Sequence, residues 1–178
     1  MNTDNLLRFT PMARWIHWGM ALLLILLVGL GFYAISLTYY DPYYHRSVFW
    51  HRSLGILAFM LLLLRISWRL KHAPPPLPET FPKWERLAAT LTHLGLYVMM
   101  GFLPISGYLM STADGHGVNV FGWFELPALL PVAKGRETWA GMIHLVLAVL
   151  FCSLVLLHVL AALKHHFINR DGILRRMW

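Results

Sequence analysis

The sequence is poor in cysteine and in charged residues. Its 178 residues include one cysteine, Cys152, which excludes an intramolecular disulfide and argues against a thiolate metal cluster. Charged residues make up 13% of the chain, whereas a typical soluble domain carries about 25%. Eight residues are acidic, and none lies deep within a long apolar run. A metal site built from carboxylates is therefore a poor interpretation of this chain.

Long apolar runs account for most of the sequence. Hydrophobic residues make up 58% of it, and the mean hydropathy is +0.56. A helix needs about 20 predominantly apolar residues to cross a bilayer, and four stretches meet this requirement. They run from about 15 to 36, 48 to 68, 87 to 110 and 139 to 163. Because little material remains for a soluble domain, we predict an all-α integral membrane protein in which residues 1–178 form a single four-helix transmembrane bundle.

Lysine and arginine are distributed unevenly around these segments. Most of them lie in the N-terminal tail, near the loop between the second and third segments, or at the C-terminus. The other side has only Arg46, Arg52, Lys134 and Arg136. By the positive-inside rule, we expect both termini to be cytoplasmic. Topology and contact with membrane lipid then explain the basic charge, and no basic soluble face predicts nucleic-acid binding.

Histidines mark both ends of the fourth segment. His144 and His158 enclose the almost wholly apolar stretch LVLAVLFCSLVLL. Fourteen residues of α-helix span about 21 Å and fall only about 40° short of four full turns. The two imidazoles therefore point to nearly the same side of the helix, one near each membrane surface. Polar residues inside membrane helices are costly and usually functional.

Each of these imidazoles needs a partner at its own depth. His51 opens the second segment on the external side, level with His144. His17 and His93 open the first and third segments at the depth of His158, and spacing alone leaves open which of them pairs with it. Paired neutral imidazoles between facing helices of a bundle suit b-type haem. The C-x-x-C-H motif is absent, so we expect non-covalent haem.

Other residues near these histidines have two interpretations each. Arg52 and Arg65 can extend toward the membrane surface, and Arg52 can equally pair with a haem propionate. His165 and His166 are expected to be solvated or to form a proton relay. Small residues near the proposed ligands leave room for a flat macrocycle but also suit ordinary helix packing; they are Gly55, Gly141, Ala148, Ala161 and Ala162.

Four motifs occur along the chain in the order RWIHW, HRSLG, THLGLYVMMGFLPISG and LHVLAALKHHF. In residue type and order they resemble the bacterial cytochrome b561 family of di-haem membrane proteins, over nearly the whole chain. They are also similar to the cytochrome b subunits of membrane-bound hydrogenases and formate dehydrogenases. The resemblance implies that His17 and His158 ligate an inner haem and that His51 and His144 ligate an outer one. It leaves His93 for a haem propionate, a quinone carbonyl or interface packing.

The resemblance also implies an activity. The chain would be an oxidoreductase of the bacterial inner membrane that passes single electrons from an external donor to the ubiquinone pool. Superoxide is the implied donor, and the four external basic residues would steer this anion toward the outer haem. Because both axial positions are filled, outer-sphere electron transfer is favoured over gas sensing. Two alternatives stay open: an electron-transfer subunit docked to a hydrogenase or dehydrogenase, and a haem-binding protein without turnover.

Overall fold

Four long helices make up most of the computed structural model, which describes residues 8–77 and 81–178. They are α1 (Pro11–Ser36), α2 (Tyr44–Lys71), α3 (Lys83–Ser111) and α4 (Arg136–Leu163). All four are long and apolar enough to cross a membrane, by length and composition. The predicted four-helix membrane architecture is therefore confirmed. Residues 1–7 and 78–80 of the predicted domain lie outside the described part of the chain.

Each helix begins three or four residues before the apolar segment that predicts it. The start of α1 shows the reason, because Pro11 occupies its first position and Thr10 Oγ1 accepts a hydrogen bond from Ala13 N at 3.3 Å. Hydropathy detects only the part of a helix that crosses the hydrocarbon core. The hydrogen-bonded helix continues beyond it into the interfacial region, where polar and aromatic residues are favourable.

The start of α1 and the C-terminal segment lie at the same end of the bundle, here called the termini end. Along the chain, α1 packs against α2, α2 against α3, and α3 against α4. After α4 a π-helical segment, Lys164–Asn169, and a 3-10 turn, Leu174–Met177, return the chain to the start of α1. There Trp18 Nε1 donates a hydrogen bond to the Met177 carbonyl at 2.8 Å.

The opposite end of the bundle, here called the hairpin end, is covered by a short β-hairpin. Strands β1 (Val118–Val120) and β2 (Phe124–Leu126) pair antiparallel within the α3–α4 connector. Both valines of β1 are buried, and β1 packs on α2. The fully buried Ser53 of α2 accepts a hydrogen bond from Phe121 N at 3.0 Å through its Oγ. Since Ser53 follows His51 by two residues, the hairpin is attached to α2 beside that histidine.

Large apolar side chains mostly point away from the bundle, as expected for helices that face lipid. Buried positions inside it include small residues, such as Ser53, Ala58, Ser106 and Ala140. Small residues allow membrane helices to approach closely, because packing and not water exclusion drives their association. Cys152 is half-buried within α4 and is a free thiol.

Candidate functional site

At the hairpin end, α2 and α4 bring His51 and His144 together. Their ring centroids are 6.1 Å apart and both side chains are half-buried. Each histidine lies seven or eight residues after the start of its helix, which is about two turns. The two helices therefore present their imidazoles at the same depth. This is the depth-matched pair that the sequence predicts for the outer site.

The backbone of α3 holds the ring of His144. His144 Nδ1 lies 3.0 Å from the Leu103 carbonyl oxygen and 3.1 Å from Ser106 Oγ. When Nδ1–H donates to the Leu103 carbonyl, Nε2 keeps its lone pair, which is the tautomer that a metal requires. Gly107 allows this approach, because a Cβ there would lie only 3.2 Å from His144 Cε1 and 3.3 Å from Nδ1.

His51 packs against α1 in a similar way. A Cβ added at Gly31 would lie 3.3 Å from His51 Cε1 and 3.7 Å from Nδ1. The Leu27 carbonyl faces this ring without reaching hydrogen-bonding geometry, so Nδ1 is a buried polar atom without a partner among the described residues. Leu27 precedes Gly31 by four residues, as Leu103 precedes Gly107. Each histidine of the hairpin end therefore packs against a glycine of the helix that precedes its own in the chain.

At the termini end, three histidines from α1, α3 and α4 form a cluster. The ring centroid of His158 lies 6.5 Å from that of His17 and 5.4 Å from that of His93. The structure therefore brings together all three residues that the sequence places at this depth. His17 and His158 are half-buried, whereas His93 is exposed. His17 lies six residues after the start of α1 and His93 ten residues after the start of α3, and both face the same imidazole of α4.

The spacing of these pairs can be compared with that of two imidazoles on one haem iron. If the metal–nitrogen bond is about 2.0 Å, as it is for histidine on zinc, and the ring bonds are close to the peptide C–N length of about 1.33 Å, each nitrogen lies about 1.1 Å from its ring centre. Two axial rings therefore have centres about 6.2 Å apart. The His51–His144 and His17–His158 distances of 6.1 and 6.5 Å match this value, and the His93–His158 distance of 5.4 Å is shorter. The residues present fit axial ligation at both ends, and the spacing favours His17 over His93.

The chemistry of the donor set also fits haem better than a bare metal ion. Within the described ranges, no group of three or more histidine, cysteine, aspartate or glutamate residues is arranged to hold a metal ion. A structural zinc site normally requires four ligands at one point. Two-ligand sites instead match a metal whose remaining equatorial positions are filled by a macrocycle.

The two glycines near the proposed ligands have different surroundings. A Cβ at Gly55, one turn after His51, would meet no atom within 4 Å, which leaves the space beside α2 open. A Cβ at Gly141 would lie 3.0 Å from Met110 Sδ. Gly55 therefore matches the expectation of room for a macrocycle, whereas Gly141 serves the packing of α4 on α3.

Several charged residues lie in other surroundings than the sequence suggests. Arg65 is half-buried and donates from Nε to Tyr97 Oη at 2.9 Å, instead of only extending toward the membrane surface. Arg136, expected among the external basic residues, is 4% exposed, and its guanidinium donates to two backbone carbonyls.

His165 stacks on Phe81 and pairs with an aspartate in the C-terminal segment, so it is not simply solvated. Arg52 is exposed, as a residue near the membrane surface would be.

A family model described as prokaryotic cytochrome b561 matches residues 8–178. The chain belongs to this family. It is 43% identical over 171 residues to the protein named cytochrome b561 homolog 2 of Escherichia coli strain K12, covering 96% of this chain and 90% of that protein. It is 30% identical over 173 residues to the protein of Yersinia pestis named probable superoxide oxidase CybB, covering 91% of this chain and 90% of that protein. The resemblance drawn from the sequence motifs is thus confirmed.

Family membership and the four spanning helices together define the general activity. The chain is a multi-pass bacterial membrane protein that binds b-type haem and transfers electrons. The chain is also 25% identical over 181 residues to a second Escherichia coli relative, named cytochrome b561 homolog 1. The match covers 96% of this chain and 96% of that protein. The likeness therefore extends over whole chains, helices and connectors included.

Proposed function

We propose that this cytochrome binds two b-type haems, one at each end of the bundle. His51 and His144 ligate the haem at the hairpin end, and His17 and His158 ligate the haem at the termini end. The observation that carries the proposal is the presence of two facing imidazole pairs at two depths, with ring centroids 6.1 and 6.5 Å apart. The two ligands on α4 are about 21 Å apart along the helix.

The chain would fix each imidazole before haem arrives. At the hairpin end, the Leu103 carbonyl accepts from His144 Nδ1–H, which sets the tautomer and makes Nε2 a stronger donor. Gly31 and Gly107 let two rings lie directly on helix backbone. Haem held between these imidazoles would supply one-electron oxidation and reduction. Two such sites in series carry single electrons between the two membrane surfaces.

The proposed orientation places both termini in the cytoplasm and the protein in the bacterial inner membrane. The support is the excess of basic residues at the termini end, in agreement with the positive-inside rule. These residues are Arg8, Arg14, Arg65, Arg69, Lys71, Lys83, Arg86, Lys164, Arg170, Arg175 and Arg176. The hairpin end then faces the outside, and His51 and His144 hold the outer haem.

The proposed reaction is oxidation of superoxide with reduction of ubiquinone. Two superoxide anions each give up one electron and leave as dioxygen, while one ubiquinone takes up two electrons and two protons. The Yersinia pestis relative named probable superoxide oxidase supports this donor. At the hairpin end Arg46, Arg52 and Lys134 are exposed and available to attract an anion. Arg136 is buried and adds little to an exposed positive surface.

A second candidate function is that of an electron-transfer subunit docked to a hydrogenase or dehydrogenase. The observation in its favour is the apolar surface formed by the hairpin tip, the start of β2 and the connector between β2 and α4. Its large side chains are exposed, and Trp123 is 82% exposed. The others are Phe124, Leu129, Leu130 and Val132. Exposed apolar patches of this kind mark protein or membrane contacts.

The purified chain, studied alone and under anaerobic conditions, tests the proposal. Pyridine haemochrome analysis should give two b haems per chain, pulsed superoxide should reduce them, and added ubiquinone should reoxidise them. His144→Ala should lose the outer haem and His158→Ala the inner one, whereas His116→Ala, an exposed loop control, should keep both. One haem in the wild type would contradict the two-site proposal. Reoxidation by ubiquinone without reduction by superoxide would favour the subunit role.

A further inference from the structure

Helix α2 repeats the fourteen-residue spacing of α4 with a different residue at its inner position. In α4 the spacing joins His144 to His158, and in α2 it joins His51 to Arg65. Fourteen residues return a helix to nearly the same side, about 21 Å farther along. Arg65 therefore lies on the same side of α2 as His51, at the depth of the three histidines of the termini end. Helix α2 presents a cation there instead of a third ligand.

An aromatic ring of α3 holds this arginine together with a second one. Arg65 Nε donates to Tyr97 Oη at 2.9 Å, and its guanidinium carbon lies 5.7 Å from the centre of the Tyr97 ring. Arg69, one turn farther along α2, has its guanidinium carbon 5.5 Å from the same centre. Tyr97 itself lies one turn after His93. Two guanidinium groups thus share one ring beside the histidine cluster.

The charges of these two arginines have no carboxylate partner in the described part of the chain. The ion pairs found there join Lys164 to Glu85 and two histidines to aspartates. Tyr97 takes only one of the five N–H donors of Arg65, and no side-chain hydrogen bond of Arg69 is found within residues 8–77 and 81–178. A half-buried cation at membrane depth is costly without an anion. Donors of both residues are therefore available to an anionic ligand.

Open space adjoins the two guanidinium groups. A shallow groove between α1, α2 and α3 is lined by Ile16, Arg65, Arg69 and Tyr97. Ile16 directly precedes His17, so the groove leads from the backbone of a proposed ligand to both arginines. A carboxylate attached to a group that lies between His17 and His158 has a short route to this groove. The arginines are spaced along α2 in the direction of the membrane surface, which suits a flexible acidic chain.

We infer that Arg65 and Arg69, positioned by Tyr97, form a carboxylate site that binds a propionate of the haem at the termini end. This inference rests on the proposed ligation of that haem by His17 and His158. Guanidinium groups bind carboxylates through two parallel hydrogen bonds, and such charge-assisted bonds are about twice as strong as neutral ones. A quinone carbonyl is a neutral acceptor and would leave the two positive charges uncompensated. A lipid phosphate is the other anion within reach, since Arg69 is exposed.

Haem dimethyl ester distinguishes a haem propionate from a lipid phosphate as the bound anion, because it keeps the macrocycle and the iron but has no free propionate. The full-length chain is reconstituted with haem or with the dimethyl ester, in the presence and absence of anionic phospholipid. The rate of haem transfer from the termini-end site to apomyoglobin is then measured. The variants are Arg65→Gln and Arg69→Gln. Lys71→Gln is the matched control, because Lys71 is an exposed cation in the last turn of the same helix.

We expect Arg65→Gln to speed the loss of haem by about tenfold to a hundredfold, which is the loss expected for a charge-assisted contact. The same variant should have little effect on the dimethyl ester, and Lys71→Gln little effect on either. Arg65→Lys should restore part of the retention, and the midpoint potential of this haem should shift in Arg65→Gln but not in the control.

Three results would overturn the inference. Equal acceleration with haem and with its dimethyl ester would show that Arg65 only supports the packing of α2 on α3. No acceleration in either variant would show that no propionate is bound there. If the site kept its haem only when anionic phospholipid was added, whether or not the propionates were free, the anion bound by the two arginines would be a lipid phosphate. A wild-type chain that holds no haem at the termini end would instead contradict the proposed function, and haem stoichiometry detects that separately.

Discussion

The contact between Gly107 and His144 gives a quantitative test of how the proposed outer haem site is built. In Gly107→Ala the new Cβ would lie 3.2 Å from His144 Cε1 and 3.3 Å from Nδ1. Non-bonded carbon atoms prefer a separation of about 3.5–4.0 Å, so the ring must move away by a few tenths of an ångström. The Nδ1 to Leu103 carbonyl distance of 3.0 Å would then exceed the usual range.

The expected effect is local to the outer haem. A hydrogen bond of this kind contributes about 0.5–1.5 kcal/mol, and loss of a partner behind a metal ligand typically lowers metal affinity by about 10- to 100-fold. We therefore expect the outer haem to dissociate at least about tenfold faster. Because a weaker bond from Nδ1–H makes the imidazole less basic, the midpoint potential should rise by a few tens of millivolts. Redox titration that resolves the two haems measures this shift.

Gly29→Ala is the matched control for this substitution. Gly29 is also a glycine of a membrane helix, it is exposed, and a Cβ there would meet no atom within 4 Å. The control should leave both potentials unchanged. An unchanged outer haem in Gly107→Ala would refute the view that α3 backbone positions His144. Equal changes at both haems would indicate a general disturbance of the bundle instead.

Two further predictions concern the inner ligand and the donor. His93→Ala should keep both haems while His17→Ala loses the inner one, and haem content measured in each variant decides between them; the reverse result would make His93 the ligand. Charge reversal at Arg46 and Lys134 to glutamate should slow haem reduction by superoxide at unchanged haem content. The slowing should diminish between 0.1 and 1 M salt, where the Debye length falls from about 10 to about 3 Å, and a stopped-flow rate insensitive to salt and charge would exclude steering. Lys71 and Arg175, reversed in the same way at the termini end, provide the control.

The helices and the depths of the histidines could be predicted because both depend on local properties of the chain. Apolar length alone determines which segments can cross a bilayer, and helical periodicity alone puts His144 and His158 on one side of α4. Depth also predicts His51 as the partner of His144, and it predicts His17 and His93 as the two candidate partners of His158. None of these steps requires knowledge of how one helix is rotated against another.

The glycine contacts and the choice between His17 and His93 depend on that rotation, so spacing and depth leave them open, and only the family resemblance favours His17. The motif LPISG draws attention to Gly107 as part of a helix that contains Pro104. Nothing in its spacing indicates that a ring from α4 lies on that glycine. Similarly, His17 and His93 are equivalent by depth; the family resemblance favours His17, and the ring distances of 6.5 and 5.4 Å to His158 agree with that choice.

Arg65 and Arg136 show why basic residues near helix ends are the hardest to interpret. A long cationic side chain near a membrane surface can reach water, a headgroup or the bundle interior with little change in backbone position. Arg136 is held in the bundle interior, because its guanidinium donates to the Pro131 carbonyl in the connector before α4 at 2.7 Å and to the Thr112 carbonyl at 2.6 Å. These bonds join the start of α4 to the end of α3 and hold the charge away from solvent. For Arg65, a single tyrosine hydroxyl on α3 keeps the guanidinium beside the histidine cluster. In both residues a neighbour distant in sequence determines whether the charge steers, binds or supports the fold.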